Sequence, residues 1–123
     1  MRIAFDVKNT LEDHDNAGRV MNLLLLLHKA GHEVFVWSSV LSYAYRTTIR
    51  IKEVYGITLN CYSKYGTYES EEQNLPVMDF AVDDDITSQD YLAAKNFVWV
   101  HNIPENVEEF AQSLGLLKLV SQF

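Results

Sequence analysis

Five short runs of apolar, β-branched and aromatic residues alternate with longer stretches of helical periodicity, and this alternation constrains the fold more than any other feature of the chain. Residues 2–6 (RIAFD), 33–37 (EVFVW), 57–62 (ITLNCY), 78–82 (MDFAV) and 97–100 (FVWV) read as strands. EVFVW has no polar alternation, as suits a central parallel strand buried on both faces. Between these runs, 17–30 is dense in leucine and followed by Gly31, 41–55 stops at Gly56, 88–95 has a helical pattern, and 107–114 closes at Gly115. A glycine just past the last periodic residue supplies the left-handed conformation on which helices commonly end. Residues 8–16 and 65–76 are polar and read as loops. Strands and helices alternating at these lengths predict an α/β, Rossmann-like three-layer sandwich, with a mainly parallel sheet of about five strands covered by helices on both faces. In such a sheet ligands bind at the carboxyl ends of the strands.

The chain has 123 residues, which suits one domain with its own core, and no proline- or glycine-rich linker divides it. Ten Lys and Arg against seventeen Asp and Glu give a formal net charge of −7. A field of that sign repels phosphate backbones and anionic lipid, so neither nucleic acid nor membrane is an expected partner. Small anionic substrates remain compatible, because a bound divalent cation reverses the local sign of a site. Cys61 is the only cysteine, which rules out an intrachain disulfide and points to a reducing, cytoplasmic setting. The most apolar run, 23–27, is too short to span a bilayer and reads as part of a core helix.

Three of the expected strands end on groups that carry chemistry: Asp6 after the first, Ser38 and Ser39 after the second, and Asp83, Asp84 and Asp85 after the fourth. A carboxylate fixed at a strand end can attack phosphorus, a hydroxyl can bind a phosphoryl oxygen, and further carboxylates can hold Mg²⁺, which prefers oxygen ligands. The histidines fall on no metal-binding spacing, and Tyr43, Tyr45, Arg46 and Arg50 read as the solvent face of an amphipathic helix.

With these strand ends in place, DVKNTL (residues 6–11) resembles the Asp-x-Asp-x-Thr signature of the haloacid dehalogenase superfamily of aspartate-nucleophile phosphohydrolases. EVFVWSS is similar to that family's second motif, an apolar strand ending in Ser or Thr, and DFAVDD to its fourth, an apolar strand ending in paired acids. The resemblance covers residues 2–100 and leaves no room for a large cap domain between the motifs. It implies Asp6 as the nucleophile that forms an aspartyl-phosphate, with Thr10 shaping the loop behind it. Ser38, with Ser39 beside it, would bind the phosphoryl group, together with a lysine, either Lys64 or Lys52. Asp6 and one or both of Asp83 and Asp84 would hold Mg²⁺, the Lys8 carbonyl would also be available to it, and Asp85 would be solvated. The implied substrate is a phosphate monoester, carried on a small molecule or a phosphoprotein.

The chain departs from the family pattern at Lys8, where the resemblance implies an aspartate that protonates the leaving group and then activates water, and at Asn9, where glycine is common. An ammonium is a poor alternating acid and base near neutrality. If it pointed inward it would also oppose a metal ion, since like unit charges ~4 Å apart repel by about 4 kcal/mol at an effective dielectric of ~20. Lys8 therefore enters the catalytic set as the residue that decides turnover. Three functions stand open at this point: an aspartyl-phosphate phosphohydrolase, a catalytically silent relative that binds a phosphorylated ligand or protein, and a receiver-like or other flavodoxin-like domain.

Overall fold

The computed structural model describes residues 1–63, 77–84 and 94–117. Their elements run β1 (Arg2–Asp6), α1 (Ala17–Lys29), β2 (Glu33–Ser38), α2 (Leu41–Tyr55), β3 (Asn60–Ser63), β4 (Met78–Asp83), β5 (Ala94–Trp99), a 3₁₀ turn (Val100–Asn102) and α3 (Val107–Ser113). The five strands form one sheet in the order β3-β2-β1-β4-β5, and every neighbouring pair is parallel. The fold is α/β and Rossmann-like with three layers.

Helix α1 buries Val20, Leu23, Leu24 and Leu27, a stripe at helical spacing. Each such side chain contributes roughly 1.5–3 kcal/mol by leaving water. The stripe meets Ile3 and Phe5 of β1 and Val34 and Val36 of β2, and Ala44 and Ile51 of α2 and Ala111 of α3 join the same apolar cluster. Ala4, Phe35, Trp37, Met78, Ala81 and Ala94 form a second buried cluster, where the Phe35 and Tyr62 rings pack 5.4 Å apart. Alternate residues of β1 and β2 thus enter different clusters and both are buried, which is why EVFVW is apolar throughout. Among the described residues no helix is long and apolar enough to cross a membrane.

The structure shifts two strands. Pairing of β3 starts at Asn60, opposite Phe35, rather than at Ile57. Leu59 is buried and Ile57 packs against the core, so these apolar residues mark burial ahead of the ladder. Strand β5 opens at Ala94, opposite Met78, so Ala94 and Lys95 belong to a strand rather than to the end of a helix, and Val100 turns out of the sheet. Most of the expected helix at 88–95, the expected loop at 65–76, Lys64 and Asp85 lie outside the described residues.

The strand order locates the ligand crevice. The chain steps outward from β1 to β2 and β3, then resumes with β4 on the far side of β1. The direction of winding reverses between β1 and β4, and the carboxyl ends of the strands at such a reversal are where open α/β sheets place their ligands. Receiver and other flavodoxin-like domains use the order 2-1-3-4-5 instead, so that reading is set aside.

Candidate functional site

β1 and β4 pair with Phe5 opposite Val82, so the next residue of each strand, Asp6 and Asp83, emerges beside the other at the reversal point. A carboxylate oxygen from each of Asp6, Asp83 and Asp84 lies within 4.8 Å of the other two. Asp83 is 1% exposed, and Asp6 and Asp84 are half-buried. The Asp84 backbone N–H donates to Asp83 Oδ1 at 2.8 Å, which fixes one oxygen of the buried acid. Three acids this close repel one another and favour a positive charge among them, and an all-oxygen donor set suits hard divalent cations as a class.

The loop after β1 is a tight turn. The Val7 carbonyl accepts from the N–H groups of Thr10, Leu11 and Glu12 at 3.2, 3.0 and 3.2 Å. This turn tucks Thr10, fully buried, under the strand end, where its hydroxyl donates to Asp6 Oδ2 at 3.5 Å. Asn9 has φ +58° and Asp13 φ +65°, the left-handed region that asparagine and aspartate enter more readily than other residues with a side chain. The turn therefore accounts for Asn9, which occupies a left-handed position where glycine is the least strained choice.

His14, which sequence reasoning left without a role, braces this loop. Its Nδ1 accepts from the Asn16 N–H at 3.1 Å, which puts the ring proton on Nε2, and Nε2 donates to the Thr10 carbonyl. Nothing in the run Asp13-His14-Asp15 signals this, because the partners are backbone groups that a sequence does not display.

The remaining candidates divide. Ser38 is buried at the end of β2, and its hydroxyl oxygen accepts from the Val40 N–H at 3.2 Å in a turn leading to α2. Ser39 is exposed. Lys64 lies outside the described residues. Lys52 sits in the last turn of α2. At 1.5 Å per residue that is about 16 Å along the axis from the helix start, away from the strand ends, so Lys52 does not serve this site. Ser63, beside Ser38 in the β2–β3 ladder, is 2% exposed, and its hydroxyl has no hydrogen-bond partner among the described residues. It is a strand-end hydroxyl that the sequence reading passed over in favour of the lysine after it.

Lys8 is exposed and makes no ion pair with any described carboxylate. It lines a cleft of about 260 Å³ together with Tyr43, Arg46 and Arg50 of α2. The helix face read as plain solvent surface is one wall of that cleft. The structure thus gathers Asp6, Thr10, Asp83 and Asp84 at one point and places Lys8 on the wall of the cleft along α2. Compared with known proteins, the chain matches no protein-family model and no curated protein.

Proposed function

We propose that this protein is a phosphohydrolase of the haloacid dehalogenase type, acting on a phosphate monoester through an aspartyl-phosphate on Asp6. The observation that carries the reading is the emergence of Asp6 beside Asp83 and Asp84 at the reversal point of the sheet. Asp6 attacks phosphorus, the bond from phosphorus to the ester oxygen breaks, and the departing oxygen takes its proton from water. Water then hydrolyses the acyl-phosphate and frees Asp6. Asp83 and Asp84, with the second oxygen of Asp6, would hold Mg²⁺, which supplies charge neutralisation at the phosphoryl oxygens when bound. Thr10 holds the Asp6 carboxylate, and the buried hydroxyl of Ser38, one residue past the Trp37 that pairs with Asp6, together with that of Ser63 beside it, would donate to phosphoryl oxygens. In this reading Lys64 and Ser39 are further candidates for the phosphate. The setting is taken to be cytoplasmic, from the single cysteine.

A second reading, a silent relative that binds a phosphorylated ligand or protein partner, draws on Lys8. No aspartate stands two residues after Asp6 to pass protons to the leaving group and from the water. Hydrolysis of an aryl phosphate, whose phenol leaves without a proton donor, separates the two readings. The phosphohydrolase reading expects Mg²⁺-dependent release of phenol that Asp6→Asn abolishes. A silent wild type that gains turnover in Lys8→Asp establishes the second reading. Silence in both proteins, with no Mg²⁺ binding, refutes the first.

A further inference from the structure

The cleft that Lys8 lines has the opposite charge character from the protein as a whole. Lys8 comes from the loop after β1, and Arg46 and Arg50 from successive turns of α2. Among the described residues Glu12 and Asp13 are the acids on its wall, so three cations face two carboxylates in a chain of net charge −7. Among the described residues one of these cations is paired: Arg50 Nη1 lies 3.3 Å from Glu12 Oε2, with the two side chains 69% and 36% exposed. A pair that open to water is weak and holds Arg50 in place without neutralising the wall. Arg46 lies over the Tyr43 ring, 5.2 Å from its centre, which fixes the guanidinium against a flat apolar surface and leaves its N–H groups for an anion. Neither Arg46 nor Lys8 has a described carboxylate partner.

Location gives this charge its meaning. Lys8 follows Asp6 by two residues, so their Cα atoms are at most about 7 Å apart. A ligand with its phosphoryl group against Asp6 would extend its other end past Lys8 into the cleft. A volume of about 260 Å³ fits one small anionic fragment and lies below the range typical of drug-sized pockets.

We propose that the cleft of Lys8, Arg46 and Arg50 binds a second anionic group, phosphate or carboxylate, on the leaving-group side of the phosphate monoester, so that the preferred substrates are small doubly anionic esters. This assignment rests on the reading of Asp6 as the phosphoryl acceptor. Lys8 is then a substrate-binding residue, which gives its replacement of an acid a positive role.

The test uses Asp6→Asn protein with Mg²⁺, which lacks the proposed nucleophile and so cannot turn esters over while its amide oxygen can still ligate, and titration calorimetry with phenyl phosphate and 4-carboxyphenyl phosphate. The carboxylated ester should bind at least about tenfold tighter, in line with a charge-assisted bidentate contact. Its advantage should shrink as salt is raised. Arg46→Ala on the same background should bring the ratio of affinities near one, and Arg46→Glu should bring it below one. Arg46 is exposed, so neither variant threatens the core, and Arg46→Lys should keep part of the preference. 3-Phosphonooxyphenyl phosphate as a third ligand distinguishes phosphate from carboxylate as the second group. Equal affinities, a preference that survives Arg46→Glu, or no binding of any ester overturns the assignment. Hydrolysis of both esters by wild type with a ratio near one overturns the cleft alone. A charge-dependent ratio in Asp6→Asn protein, with no hydrolysis by wild type, overturns the phosphohydrolase reading and supports the cleft.

Discussion

Replacing Asp84 with asparagine should stabilise the metal-free protein and remove its response to Mg²⁺. Carboxylate oxygens of Asp6, Asp83 and Asp84 stand within 4.8 Å of one another. At that separation two full charges repel by about 3.5 kcal/mol at an effective dielectric of ~20, and by about 0.9 kcal/mol in bulk water. Asp84 is half-buried, so its pairs fall between these limits. Asparagine has nearly the same shape, removes both pairs that involve residue 84, and leaves the Asp84 backbone bond to Asp83 Oδ1 intact. A net gain of about 1–2 kcal/mol follows once the lost hydration of the carboxylate is allowed for, or roughly 3–10 °C in a chain of this length. In wild type, Mg²⁺ at 100 times its Kd should add about 2.7 kcal/mol of its own. The assay is thermal unfolding followed by circular dichroism, in EDTA and across a MgCl₂ series, with KCl matching the ionic strength. A lower midpoint for Asp84→Asn in EDTA would refute the repulsion argument. An equal Mg²⁺ increment in both proteins would refute the metal site.

Two further predictions concern the backbone that carries the site. Asn9, at φ +58°, should tolerate glycine with no loss of stability, whereas Asn9→Val should cost about 1–2 kcal/mol from its side chain's clash in the left-handed region, read as a shift of the urea midpoint at constant slope. Asp79 Oδ2 accepts from the Arg2 N–H at 2.8 Å, and this bond, opposed by partial burial and helped by nearby Lys95, holds its carboxyl below the usual carboxylate range. A carboxylate with a lowered folded pKa stabilises fully above its unfolded value and loses that contribution as pH falls through the folded one. Urea midpoints of wild type and Asp79→Asn should therefore differ by a constant amount from pH 8 to 5 and converge below pH 4; a gap that widens toward acid would contradict this sign.

The frame of the fold was legible because its determinants are local. Helix α2 runs from Leu41 to Tyr55 as expected, since Gly56 at φ +74° ends it, and Gly31 and Gly115 also adopt positive φ just past their helices. Strand boundaries were less legible because pairing register depends on the neighbouring strand. Ile57 and Leu59 are as apolar as any strand residue, yet the ladder with β2 begins at Asn60. The acidic cluster could be anticipated because strand ends of a parallel sheet share one edge, so Asp6 and Asp83 needed only the order of strands to meet. The bracing by His14 and the cation–aromatic wall of Tyr43 and Arg46 were not legible, because each depends on where a loop or helix face comes to rest.

Lys8 shows the same distinction at a single residue. In an extended strand, residues two apart share a face, and that rule would send the ammonium toward the acids along with Asp6. The strand ends at Asp6, however, and the next carbonyl, Val7, gathers three N–H groups into a turn that Asn9 completes at positive φ. With the chain coiled from Val7 onward, the period of two no longer applies, and Lys8 meets the arginines of α2 across the cleft. One turn thus separates two charge environments: the acids with Thr10 beneath them, and the cations with Tyr43 among them. A lysine on the cleft wall opposes a metal ion among the acids less than one inside the cluster would, because the repulsion falls with distance and with exposure to water. In the proposed phosphohydrolase reading, a lysine at this position and the three aspartates are therefore compatible, with the first bearing on the leaving group and the second on the phosphoryl group.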